Sequence, residues 1–422
     1  MLKLIVTFLS VLIPLACYSQ SAKLQDLIEE ALKGRPVLEA ARYEAMAKEA
    51  EIGPKGSYED PMVEIAALNY PSDTLSAGEM GMTGNEISVT QKIPFPGKLT
   101  KLRKATRFEF ESKSSTYGQM RLDLISEVRI AFWELFLAYQ KRDILKEQIA
   151  LIGQLVSVLR SKYTLGNVSQ AELLALQAEE GNLKDELLTA EKQIQVKSGD
   201  LNRSVGRNSN SFLGRPELSA RAKIDLSNLN EDSLQAKILE RNPGLMAKKH
   251  DLSASTEKLD YTKKNYLPDF EFRLAYMDRV PSPGDRGVDF VSGGIGFTIP
   301  LWAFSKQSQE LQGAVAERAR SERLLEEERR HIQHLVHTMF SELRESHARL
   351  QLYEGGLIPL ARQAVVSSKT AYLTGKLDYV AMVTLVKNRF QTEFAYNEAL
   401  VTYLSRIAEF EALLGEPLGV SP

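Results

Sequence analysis

Along the chain the spacing of apolar residues changes period in a fixed order, and that order occurs twice. Leu145, Ile149, Ile152, Val156, Leu159 and Tyr163 follow one another at alternating steps of four and three. Leu183, Leu187, Ala190 and Ile194 keep the same rhythm, as do Val336, Phe340, Leu343, His347 and Leu350. Such heptad-like spacing predicts long helices packed as coiled coils. From Lys98 to about Lys162 there is no proline, and glycine falls only at 118 and 153. At about 1.5 Å per residue, one helix on the order of 100 Å is expected there.

Ahead of each long helix the period drops to two. Ile87, Val89 and Ile93 alternate with Glu86, Ser88, Thr90 and Lys92; Phe270, Phe272, Leu274 and Tyr276 alternate with Asp269, Glu271 and Arg273. Val291, Ile295, Phe297 and Ile299 alternate with polar residues and glycine. These patterns predict strands at about 62–70, 86–93, 269–277 and 291–299, each with one apolar and one polar face. Ile295 is placed on the apolar face and Thr298 on the polar one. Helices rich in Ala, Glu, Lys and Leu, at about 22–58 and 232–265, precede the two strand pairs. The connections 71–85 and 280–287 carry proline and glycine, as loops do.

The recurrence is a tandem duplication. Arg35-Pro36-Val37-Leu38 answers Asn242-Pro243-Gly244-Leu245, and Ile93-Pro94 answers Ile299-Pro300. Tyr163 and Gly166 answer Tyr372 and Gly375, and Val205-Gly206 answers Leu414-Gly415. These anchors hold offsets of 206–209 positions along the whole chain. The expected division is a first repeat over 20–206 with a helical hairpin at about 98–206. A linker at 207–231 follows, then a second repeat over 232–415 with a hairpin at about 304–415, and a tail at 416–422.

The N-terminus sets the compartment. Lys3, an apolar run from Leu4 to Ala16 and small residues after it describe a signal peptide over 1–19. The run is shorter than the roughly 20 residues that span a bilayer. Cleavage after Ser19 removes Cys17, the single cysteine; in a lipoprotein reading Cys17 is instead the lipidated first residue. Charge is balanced, with 53 Lys and Arg against 55 Asp and Glu, so nothing points to nucleic acid. No HExxH, GxSxG or Walker motif occurs, and no carboxylate pair is placed for acid–base work. No catalytic residue, cofactor or metal site is expected, and the chain does not read as an enzyme. His331, His334 and His337 step along one helix and fan over too wide an arc for one ion, so they read as solvated positions.

Four strands cannot close a barrel, and open sheet edges are not tolerated in lipid. Their length and alternation fit a membrane barrel nonetheless. If three copies share one barrel, twelve strands result and the coiled coils project as a helical tube. The competing architecture is a soluble helical protein with two incidental hairpins.

The twofold repeat, the exported start, Asn242-Pro243-Gly244-Leu245, the strand exit Gln91-Lys-Ile-Pro-Phe-Pro-Gly-Lys-Leu99 and the paired Tyr-x-x-Gly turns resemble the TolC outer-membrane efflux proteins. The Ile93–Lys98 exit is similar to the heavy-metal cation branch. The resemblance implies a mixed α and β membrane protein: a homotrimer with a twelve-stranded barrel in outer-membrane lipid and a coiled-coil tunnel in the periplasm. It implies a passive conduit for a tripartite efflux system, docked on a periplasmic adaptor and an inner-membrane pump of the proton-driven cation or drug type. Type I protein secretion is a second role within the family, and a periplasmic coiled-coil scaffold or adaptor is the alternative outside it.

On that resemblance, Tyr163, Gly166, Ser169, Glu172, Tyr372, Gly375 and Asp378 mark the hairpin tips that meet the adaptor and close the pore, with Tyr372, Lys376 and Asp378 expected free for a partner. Glycine reaching positive φ and Ser or Asp capping the next helix account for the same residues as turn chemistry. Pro94, Pro96, Gly97 and Pro300 mark the hinge between barrel and tunnel, where proline stops a ladder and suits a first helical turn. Trp302, Phe304, Phe95, Tyr58 and Tyr266 flank it as an aromatic girdle would. Some relatives carry an acidic, cation-sensitive constriction beyond the second tip; the matching positions here are Ala381 and Thr384.

Overall fold

The computed structural model describes residues 23–217 and 230–418. The expected signal peptide with Cys17, residues 218–229 of the linker and the end of the tail lie outside the described residues. Helices α1 (Leu24–Gly34) and α2 (Pro36–Lys55) lead into strands β1 (Met62–Leu68) and β2 (Gly84–Ile93). The hairpin α3 (Lys98–Thr164) and α4 (Gln170–Val205) follows. The second half repeats the order with α5 (Glu231–Arg241), α6 (Pro243–Lys263), β3 (Phe270–Arg279), β4 (Phe290–Phe297), α7 (Ser308–Leu352), α8 (Ile358–Leu373) and α9 (Tyr379–Leu414).

Three expectations are corrected. Each leading helix is two helices, broken at Arg35 and Asn242, which take extended ψ angles of 111° and 121°. Proline disfavours the α region for the residue before it and then suits N1 of the next helix. The second long helix is also interrupted. A π turn at Tyr353–Leu357, containing Gly355 and Gly356, separates α7 from α8, whereas α3 runs unbroken for 67 residues. Thr298 lies beyond β4 and is engaged by Asp269, whose backbone N–H donates to Thr298 Oγ1 at 2.9 Å.

The four strands form one antiparallel sheet in the order β1-β2-β3-β4. Its central pairing, β2 with β3, joins the two halves, with Ile87 opposite Tyr276 and Val89 opposite Leu274. Beneath it α3 packs against α2, α4, α6 and α9. Heptad positions fill the core: Ile152 and Leu159 meet Leu176, Val386 and Phe390 near the tips, and Leu135 and Leu201 meet Tyr403 midway. A third cluster seats Ile238 and Leu245 on Val336 and Phe410. Among the described residues, no helix is long and apolar enough to cross a membrane.

Candidate pore and docking sites

The register sorts the sheet into two chemically opposite faces. Val63, Ile65, Ile87, Val89, Phe272, Leu274, Val291 and Ile295 share one face across all four strands. They are left open: Ile65 is 79% exposed, Val291 73% and Ile295 70%. A water-facing sheet normally buries its apolar side. The other face carries Glu64, Glu86, Ser88, Thr90, Lys92, Glu271 and Arg273. Arg273 Nη2 lies 2.5 Å from Glu86 Oε1, and Lys92 stands directly opposite Glu271. Among the described residues, β1 and β4 each pair on one side only, leaving two open edges.

The sheet meets the helices through a clamp formed across the two repeats. Pro94 and Pro96 end the ladder of β2, and Gly97, at φ +87°, turns the chain into α3. Lys98 is 5% exposed. Its ammonium donates to Asp269 Oδ1 at 2.8 Å, and the Phe95 backbone N–H donates to the same oxygen at 2.6 Å. Lys264 Nζ lies 5.8 Å from the centroid of the Phe95 ring. Pro300 repeats the break, its carbonyl accepting from the Ala303 N–H. Trp302 and Phe304 stand exposed beside the junction, as does Tyr58, whereas Phe95 and Tyr266 are half-buried.

The two tips close with the same hydrogen bonds. Gly166 N–H donates to Tyr163 O and Asn167 N–H to Lys162 O; Gly375 N–H donates to Tyr372 O and Lys376 N–H to Ala371 O. Gly166 and Gly375 sit at φ +75° and +71°, where L side chains are strained. Ser169 and Glu172 form a reciprocal capping box on α4, with bonds of 3.3 and 3.2 Å. Asp378 caps α9, accepting from the Ala381 N–H at 2.7 Å. So Glu172 and Asp378 are not idle surface charges.

Tyr372 corrects another expectation. Its side chain is buried in the tip core, with Lys162 Nζ 4.4 Å from the ring centroid, and burial pushes its hydroxyl pKa up. Neighbouring Tyr379 is pushed up to about 12, chiefly by burial and then by the Glu179 carboxylate. Tyr163 is exposed.

Ion pairs tie the second hairpin to the first. Arg389 Nη2 lies 2.6 Å from Glu147 on α3 and Lys387 Nζ 2.8 Å from Glu179 on α4. Glu393 on α9 receives both Arg389 and Arg362. Sequence reading missed this network and the Lys98–Asp269 clamp, because no local period marks a partner far along the chain. Ala381 and Thr384 follow the second tip, with Thr384 exposed. His331 and His334 are exposed, and His337 Nδ1 lies 2.9 Å from Glu231. Among the described residues, no group of three ligating side chains could hold a metal ion.

The model of the outer membrane efflux protein family matches residues 27–207 and 234–416, one stretch in each half. Protein CyaE of Bordetella pertussis is 23% identical over 347 residues, covering 79% of this chain and 72% of that protein. The outer-membrane channel OprN superposes with a TM-score of 0.78 at 15% identity, over 93% of this chain and 89% of its own. The outer membrane protein VceC of Vibrio cholerae gives 0.76 at 17% identity, over 93% and 96%. At these identities the likeness to solved structures is one of fold.

Proposed function

Since the chain belongs to the outer membrane efflux protein family, we propose that three copies close a shared twelve-stranded barrel in the outer membrane and conduct substrate passively from the periplasm to the exterior. The observation that carries this reading is the inverted sheet. Its exposed face is apolar, its other face carries paired charges, and both edges are open. Joining β4 of one copy to β1 of the next satisfies the edges, turns Ile295 and its neighbours to lipid, and lines the lumen with Glu86, Arg273 and Lys92. The Asp269 clamp and the Pro94–Gly97 and Pro300 breaks then form the transition from barrel to tunnel, with Trp302 and Phe304 at the lipid headgroups.

At the far end, the tips marked by Gly166 and Gly375 meet a periplasmic adaptor, which couples the channel to an inner-membrane pump. Opening swings the second hairpin about the π turn at Tyr353–Leu357 and breaks the Arg389–Glu147 and Lys387–Glu179 pairs. The energy for transport comes from the pump. The Ile93–Lys98 strand exit supports heavy-metal cations as cargo.

Fractionation tests this reading. The protein should sediment with the outer membrane and migrate as a trimer in detergent gels until heated. A monomer recovered from the soluble periplasm would overturn it.

A further inference from the structure

The caps leave the tips with an excess of positive charge. Over residues 158–176 and 366–384 the cations are Arg160, Lys162, Lys369 and Lys376, and the carboxylates are Glu172 and Asp378. Both carboxylates turn onto their own helix N-termini, where backbone N–H groups and the helix dipole offset their charge. Among the described residues no ion pair engages the four cations, and Lys162 faces the Tyr372 ring instead. Arg160 and Lys376 are exposed. The same turns expose Leu165, Leu373 and Val380, at 73%, 70% and 66%.

We propose that the partner seated on these tips is a protein end carrying apolar side chains rimmed by Asp and Glu carboxylates, read by Arg160, Lys369 and Lys376. The inference rests on the tip-docking reading above and adds the partner's chemistry. Exposed leucine and valine ask for an apolar complement, and a rim of cations selects the sign of the surrounding charge. Three copies around one axis triple that charge, so a basic partner is repelled at encounter. Cell-wall murein also offers carboxylates, but it supplies no apolar complement for Leu373 and Val380.

Photocrosslinking in living cells tests it, with benzoylphenylalanine at Leu373 as the probe. The captured peptide, mapped by mass spectrometry, should be a protein segment with apolar residues and net negative charge. Capture should fall by roughly five- to tenfold in the Lys369→Glu/Lys376→Glu variant, as reversal of rim charge does. It should be kept in Lys369→Arg/Lys376→Arg, with trimer yield equal in both. A captured segment of net positive charge, a muramidase-sensitive murein adduct, or capture unchanged by charge reversal would each overturn the inference. Failure of the underlying reading is separately visible, because then the protein forms no heat-sensitive trimer in the outer membrane.

Discussion

Asp269, in the second repeat, holds the strand exit of the first: its Oδ1 accepts from Lys98 Nζ at 2.8 Å and from the Phe95 N–H at 2.6 Å. The Lys98 side chain is 6% exposed and Asp269 39%. Removing the carboxylate leaves the buried ammonium only the Leu267 carbonyl, 3.4 Å away; losing the partner of a fully buried charge costs about 3–5 kcal/mol. With Asp269 partly solvated, Asp269→Ala is expected to cost about 2–3 kcal/mol. Trimers of this variant should dissociate at a lower temperature in detergent gels, and Lys98→Met in the same background should recover part of the loss.

The sheet faces predict opposite tolerance to charge. Ile295→Arg should sharply reduce trimer yield, because arginine at the bilayer midplane costs about 2–4 kcal/mol. Ser292→Arg, on the polar face of the same strand, should assemble nearly as well as the natural sequence. Thr298 is not a suitable comparison, since it braces Asp269. Equal yields from the two variants would contradict the assignment of faces.

The tips predict a split between cap and turn. Asp378→Ala removes the acceptor for the Ala381 N–H and should cost about 1 kcal/mol, whereas Asp378→Asn keeps it. Gly375→Ala places a side chain at φ +71° and should cost about 1–2 kcal/mol. Hydrogen exchange over the first turn of α9 reads both as faster opening, with exchange in α6 unchanged.

The π turn predicts where the second hairpin bends. Gly355→Ala with Gly356→Ala adds helix propensity of about 1 kcal/mol at each site and meets no neighbouring atom. Single-channel recordings should show a lower open fraction for this variant. Gly153→Ala, within unbroken α3 and likewise free of neighbours, should leave the open fraction unchanged.

What the sequence revealed followed the range of the interactions that encode it. Heptad positions such as Ile152, Leu159 and Val336 are buried as their spacing predicts, because a helical stripe is a local property. The strand faces were legible in the same way. The breaks before Pro36 and Pro243 also carried a local sign, since proline turns the preceding residue out of the α region, although the Ala- and Lys-rich composition around them reads as one helix. The π turn gave no periodic sign, since two glycines within a helix also occur without one. Partners separated by 171 positions, as Lys98 and Asp269 are, leave no local trace at all. Glu172 carried a sign that could have been read: Ser169 three residues earlier spells a capping box, which assigns its carboxylate to the helix rather than to a partner.

The most direct test of the central claim is conductance of the purified heat-sensitive trimer in a planar lipid bilayer. Discrete current steps should persist without nucleotide, cofactor or any second protein, and should vanish when the trimer is dissociated by heat. A trimer that inserts into the bilayer and passes no current under any voltage or salt condition would contradict that claim.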